Sequence, residues 1–309
     1  MSLFLGIDTS NYTTSAAIFN SVTGEIRQER TLLSVKNGEK GLRQSDALFA
    51  HIKNLPSILS PLLSSLQPTA VGVSVRPRDL EGSYMPCFEA GVLAAKSISL
   101  ARNIPCFEFS HQAGHIASAL FSIGRMDLLH TRIIAFHVSG GTTEAVLSHF
   151  DGKKLDTELL AKSLDLKAGQ AVDRVGQMLG LPFPSGPKLE QLALQSSKTF
   201  EIKPTMKGAD CCLSGLENLC RKMIDSACDP SDVALYCLEY IKVSLEGMLK
   251  PLALQYPGVP VLFAGGVMSN SIIRDYFTEK YDALFAKPAF STDNAAGIAV
   301  LTKSRIENG

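Results

Sequence analysis

Apolar residues in this chain fall into two kinds of run. Short continuous ones, bounded by turn residues, read as buried strands, and longer ones with apolar positions three and four apart read as helices. Residues 3–7 (LFLGI) form a first strand that ends in Asp8-Thr9-Ser10-Asn11, and 13–19 and 25–33 read as two more, the last after a turn at Gly24. A helical pattern follows over about 43–66, interrupted at Pro56 and Pro61, then a strand over 70–75 and the loop RPRDLEGSYMP. A small-residue helix over 87–101, with Ala90, Gly91, Ala94 and Ala95 suited to close packing, leads to a strand at 106–109. His111 to Phe121 continues as a helix whose apolar members, Ile116, Ala119 and Leu120, keep helical spacing.

The opening pattern then starts again. Residues 132–138 (RIIAFHV) read as a strand, Ser139-Gly140-Gly141-Thr142 as a tight turn, 143–148 as a second strand and 153–160 as a third. TSNYTTSAAIF and VSGGTTEAVLS share one order of strand, polar turn, paired threonines and small apolar residues. Such self-similarity predicts two lobes of one duplicated unit, with 1–125 as the first and 126–309 as the second. The second becomes mainly helical, over about 166–180, after PFPSGP at 182–187, over 214–227, and from a Ser231-Asp232 cap to about Lys250 before Pro251. A strand at 259–263 runs into AGGVMSN and a helix over 272–279, and Ser291-Thr292-Asp293-Asn294 opens the last helix, 295–304. The alternation of strands and helices makes this an α/β chain.

Bulk numbers narrow the class. The 309 residues are enough for two lobes with cores of their own, and 45% are hydrophobic. Thirty basic and thirty acidic side chains leave no net charge, which argues against coating nucleic acid unaided. Seven cysteines without a CxxC pair point to a reducing compartment rather than a disulfide scaffold. The short apolar run in MSLFLGID lacks a signal peptide's basic start, and no apolar stretch approaches the ~20 residues of a membrane helix. A cytoplasmic protein without a membrane partner is the expectation.

The sharpest chemical signal is His111 with His115. At i and i+4 on a helix both imidazoles face one way, the geometry a transition metal asks of two nitrogen ligands. The helix follows a short strand, and α/β folds collect ligands at such carboxyl ends. The protease zinc motif places a glutamate after the first histidine, and Gln112 stands there instead. A pair of locally hydrogen-bonded histidines capping a helix is the competing reading, and a third ligand decides between them. The hydroxyl-rich turn after residue 7 can hold phosphate or a metal, or be a plain hairpin. Glycine turns at Gly140-Gly141, Gly186 and Gly265-Gly266 let backbone amides approach a phosphate or a base, although each alone is an ordinary α/β turn. Arg76 and Arg78 suit a phosphate or carboxylate, or are solvated loop charges.

Two hairpin-led lobes with a late strand-Gly-Gly-helix turn resemble the actin, sugar-kinase and Hsp70 superfamily, which binds nucleotide in the cleft between lobes. Eight ordered motifs resemble one branch of it: Gly6-Ile7-Asp8-Thr9-Ser10, His111-Gln112-Ala113-Gly114-His115, Val138-Ser139-Gly140-Gly141, Ala168-Gly169-Gln170-Ala171-Val172-Asp173, Ser185-Gly186-Pro187, Ser214-Gly215-Leu216, Ala264-Gly265-Gly266-Val267 with Asn270, and Ser291-Thr292-Asp293-Asn294. They are similar to the TsaD-like tRNA N(6)-adenosine threonylcarbamoyltransferases, once called glycoproteases.

The resemblance implies a divalent ion, iron or zinc, on His111, His115 and Asp293. It also implies an adenylate, ATP or AMP held by His137, Val138, Ser139, Gly140, Gly141, Asp173, Gly186, Gly265, Gly266 and Asn270. Asp8 and Ser139 become the candidate catalytic groups. The implied reaction moves threonylcarbamoyl from its AMP anhydride to the N(6) amine of adenosine in tRNA, with tRNA and protein partners of a modification complex. The chain departs from the family pattern at Asn11-Tyr12-Thr13, where Cys-Asp-Glu is usual, and at Thr142 for His and Gln170 for Glu. Arg76-Pro77-Arg78 likewise stands for Gly-Pro-Gly. These losses of acidic groups mark a divergent paralogue, and they leave two further readings, a non-catalytic partner in such a complex and a small-molecule phosphotransferase.

Overall fold

A computed structural model describes residues 2–10, 12–34, 42–290 and 294–307. In chain order its elements are β1 (Leu3–Asp8), β2 (Thr13–Asn20), β3 (Ile26–Leu32), α1 (Gln44–Leu63), β4 (Ala70–Arg76), α2 (Phe88–Arg102), β5 (Cys106–Ser110) and α3 (His111–Ser122). There follow β6 (Ile133–Val138), β7 (Thr143–Phe150), β8 (Leu155–Lys162), α4 (Ala168–Met178), α5 (Gly186–Ala193), β9 (Thr205–Lys207), β10 (Asp210–Cys212) and α6 (Ser214–Asp225). The chain ends with α7 (Pro230–Gln255), β11 (Val261–Ala264), α8 (Ser271–Tyr281), β12 (Leu284–Phe285) and α9 (Ala295–Glu307).

These elements separate into two compact units, each built on a five-stranded sheet. The first sheet has the order β3-β2-β1-β4-β5 and the second β8-β7-β6-β11-β12, the same topology used twice. In each, the leading hairpin is antiparallel and the later strands join parallel, β4 on β1 and β11 on β6. That equivalence is what the repeated polar-turn pattern predicts.

In the first unit every residue of β1 is buried, because helices cover both faces of the sheet. Leu5, Ile7, Val71 and Val73 pack with Leu55, Ile58 and Leu62 of α1, while Phe4, Ala17 and Ala70 pack with Ala295, Ala296 and Ala299 of α9. Helix α9 sits close: a Cβ on Gly6 would lie 2.2 Å from the Ala295 carbonyl, and one on Gly297 would lie 1.9 Å from that of Gly114 in α3. The last helix therefore belongs with the first unit (1–131, 149–156 and 289–309), rather than with a second lobe running from residue 126 to the end. Its small-residue face fits the first sheet, a match that local pattern does not disclose.

Two helices also run on where prolines suggest a stop. Helix α1 is continuous through Pro56 and Pro61, which lie on its exposed side where freed carbonyls meet water. Its buried stripe, Ala47, His51, Leu55, Ile58 and Leu62, holds it on the sheet. Helix α7 starts earlier than its sequence cap implies, with Asp229 accepting from Ser231 N–H and Pro230 in the first turn, and passes Pro251 to Gln255. In the second unit Ile134, Phe136 and Val138 of β6 pack on α4 and α7 through Val172, Val175, Leu238 and Ile241. Among the described residues no helix is long and apolar enough to cross a membrane.

Candidate functional site

In the first unit β5 ends at Ser110 and α3 begins at once, with Ser110 Oγ accepting the Ala113 N–H at 3.2 Å. His111 and His115 thus occupy successive turns on one side, their ring centroids 4.6 Å apart at 70°. The buried carboxylate of Asp8, at the end of β1, lies 2.9 Å from His111 Nδ1, and Ser10 N–H donates to it at 2.9 Å. Burial by itself would raise that carboxyl's pKa, but the His111 ring and hydrogen bonds from His111, Ser10 and Ser74 outweigh it and hold it at about 2. The Asp8 carboxylate and the His111 ring thus form a carboxylate–histidine pair, an arrangement that orients metal ligands. Asp8 is thereby committed to the imidazole.

The Asn294 amide nitrogen approaches the same ring, 2.8 Å from Nδ1 and 3.2 Å from Nε2. Its amide oxygen is buried without a hydrogen-bond partner among the described residues. Asp293, the expected third ligand, lies outside the described residues, and among those described no group of three His, Cys, Asp or Glu has metal-binding geometry. The donor chemistry present fits a divalent transition ion: two adjacent imidazoles, one oriented by a buried carboxylate. Arg76, read as a candidate phosphate or carboxylate ligand, donates twice to the Asp79 carboxylate at 2.8–3.0 Å.

The second unit carries an open-sided cavity of about 450 Å³, within the range of small-molecule sites. Five of the ten expected nucleotide residues line it, namely Gly140, Asp173, Gly186, Gly266 and Asn270. A Cβ at Gly140 or Gly266 would meet no protein atom, so both turns present bare backbone to open space. Asp173 Oδ1 takes the Ser185 N–H at 2.9 Å, fixing the 182–187 loop over α4. Asn270 Oδ1 caps α8 through the Ile273 N–H at 3.1 Å, leaving its amide nitrogen as a donor.

The other expected residues have different surroundings. Gly265 has φ +103°, and a Cβ there would lie 2.3 Å from the Val138 carbonyl, so this glycine lets β11 turn close against β6. Ser139 shapes its own turn, with Oγ accepting the Thr142 N–H and its carbonyl the Gly169 N–H. His137, Val138, Ser139, Gly141 and Gly265 are not among the cavity's lining residues. Sequence reasoning missed Glu190, Leu238 and Ser269 in the lining. Gly169 was legible in its motif; a Cβ there would lie 2.5 Å from the Gly140 amide nitrogen, so its missing side chain lets α4 pack against that turn. Leu238 carries no local signal, because only the packing of α7 brings it there.

The doubled five-stranded sheet is that of the actin, sugar-kinase and Hsp70 class. Similar folds include component A of the Acidaminococcus fermentans (R)-2-hydroxyglutaryl-CoA dehydratase, with TM-score 0.60, 15% identity, and 98% of this chain and 99% of that one covered. A ROK family glucokinase from Streptomyces griseus matches with TM-score 0.54 and 12% identity over 98% of each chain. Within that class the chain belongs to the TsaD family, tRNA N6-adenosine threonylcarbamoyltransferase, whose model matches residues 36–300.

A tRNA N6-adenosine threonylcarbamoyltransferase from Neorickettsia sennetsu is 28% identical over 324 residues, covering 99% of this chain and 94% of that protein. A probable bifunctional tRNA threonylcarbamoyladenosine biosynthesis protein of Thermoplasma acidophilum is 26% identical over 281 residues, 89% of this chain. The chain spans about half the length, 50%, of that bifunctional relative.

Proposed function

We propose that this chain transfers a threonylcarbamoyl group, or a related carbamoyl group, from an acyl-adenylate to the N(6) amine of adenosine in tRNA. The observation that carries the reading is the 450 Å³ cavity of the second unit, where glycine backbone, Asp173 and Asn270 converge. Exposed amides at Gly140 and Gly266 suit the phosphate, Asp173 a ribose hydroxyl, and the Asn270 amide a base or phosphate edge. His111, His115 and Asp293 would hold a divalent ion. When bound, that ion supplies Lewis-acid polarisation and an anchor for the threonyl carboxylate.

In the reaction the amine nitrogen bonds to the carbamoyl carbon, the carbon–oxygen bond to the phosphate breaks, and AMP leaves as the anion. The amine proton passes to solvent or a base. Backbone N–H groups of the glycine turns stabilise the departing phosphate charge. Access to tRNA through a complex with other proteins of the modification machinery belongs to the same reading. So does a cytoplasmic location.

The test is AMP release from threonylcarbamoyl-adenylate with and without tRNA, for the wild-type protein and for His111→Ala, Asp293→Ala and Asp173→Ala. Release that depends on tRNA and falls at least tenfold in each variant is expected. Metal content should fall in the first two only.

A second reading, a non-catalytic partner in the same complex, is favoured by Asn11-Tyr12-Thr13 and Gln170 in place of acidic groups. Gln170 itself faces back to the Lys167 N–H at 3.5 Å as a helix cap. No AMP release, with near-zero metal in wild type and variants alike, would favour that reading.

A further inference from the structure

The loop between β4 and α2 carries a polar network that neither the cavity nor the expected ligands use. Arg76, the last residue of β4, donates from Nε and Nη2 to Asp79 Oδ1 at 3.0 and 2.8 Å. The other carboxylate oxygen accepts the Ser110 hydroxyl at 2.6 Å, and Ser110 Oγ in turn accepts the Ala113 N–H at 3.2 Å. One residue past His111, the Gln112 N–H donates to the Pro77 carbonyl at 3.0 Å. The chain is thus tied to one loop on both sides of His111, while the imidazole between is tied to Asp8.

Two physical points set this apart from an ordinary helix cap. A serine hydroxyl has one proton, and giving it to Asp79 turns the oxygen's lone pairs toward Ala113 N–H, so the cap has one orientation. The Asp79 side chain is only 7% exposed, and its two carboxylate oxygens are taken up by Arg76 on one side and by the Ser110 hydroxyl at the start of α3 on the other. A helix start needs a hydroxyl cap, not an ion pair behind that cap. The β4–β5 register also slips between Ser74 and Arg76, a bulge at the place where Arg76 meets Asp79.

We propose that Asp79 is a positioning residue for the histidine pair, acting through Ser110 to fix the first turn of α3 so that His111 and His115 hold a divalent ion. This rests on the metal reading given above. Arg76 holds Asp79 in its turn.

The experiment is titration of purified full-length protein with Co(II), read by visible d–d absorption and by competition with a chelator. Asp79→Ala and Ser110→Ala should each weaken Co(II) binding about 10- to 100-fold. The double variant should lose no more than the weaker-binding single, since both act through one contact. Ser110→Thr, which keeps the hydroxyl, should stay within about threefold of wild type. Additive losses overturn the proposal, as does unchanged affinity in Asp79→Ala when His111→Ala abolishes binding. A wild-type protein that binds no Co(II) overturns the metal reading, and the positioning role with it. Should circular dichroism show Asp79→Ala unfolded, Arg76→Gln replaces it: a three- to tenfold loss supports the role, and no loss overturns it.

Discussion

Adjacent glycines have opposite duties here. Gly266 borders the cavity with open space where a Cβ would go, whereas Gly265, at φ +103°, has the Val138 carbonyl 2.3 Å from that point. Gly266→Ala is expected to keep wild-type stability and to bind AMP at least tenfold more weakly by calorimetry. Gly265→Ala should lower stability by on the order of 2 kcal/mol or more in a denaturant titration, because a left-handed backbone and a close carbonyl both oppose a side chain. The family resemblance marked both as nucleotide turns, and a motif has no means of telling a glycine that faces a ligand from one that faces a strand. Likewise the His111–His115 pair was legible from i, i+4 spacing. Its Asp8 partner was legible only as part of a motif, because the contact joins positions 103 residues apart.

At the scale of elements, α9 is held to α3 by bare backbone. Gly297→Ala would place a methyl 1.9 Å from the Gly114 carbonyl, so the two helices must part. The variant should melt lower and lose Co(II) affinity together, since α3 carries the histidines and Asn294 touches His111. AMP affinity, read at the second unit's cavity, should change little in the same protein at a temperature where it is folded.

A second tie joins α7 to α8. Glu246 is nearly buried and accepts from Lys280 Nζ at 2.7 Å and Tyr281 Oη–H at 2.8 Å. Burial opposes its charge, but these donors win and hold the carboxyl at about 2. The native state therefore binds its proton less readily than the unfolded chain. The stabilisation, on the order of 2–3 kcal/mol, is complete above the ordinary glutamate range near 4.3 and lost as pH falls through about 2. Glu246→Gln should flatten that acid limb in urea melts taken between about pH 5 and 2. No local pattern announces the tie, because Glu246 and Lys280 are brought together only by helix packing.

For the whole molecule, ligand linkage gives the broadest check. A nucleotide that binds only the folded chain adds about 2.7 kcal/mol at a hundred times its Kd, so AMP should raise Tm by several degrees and should do so far less in Asp173→Ala. By itself the sequence determined every strand but the short β9, β10 and β12, the repeated hairpin-led unit, the histidine pair and most of the cavity's glycine turns. Each of these is written in short-range periodicity or in residue types that a backbone position demands. Tertiary structure alone decided that the last helix closes the first sheet, that two helices run through their prolines, and that Leu238 and Glu190 complete the cavity. It also decided that the carboxylate Arg76 binds is that of Asp79. These depend on which distant surfaces meet, and burial of a matching face outweighs the local signals that would have placed them elsewhere.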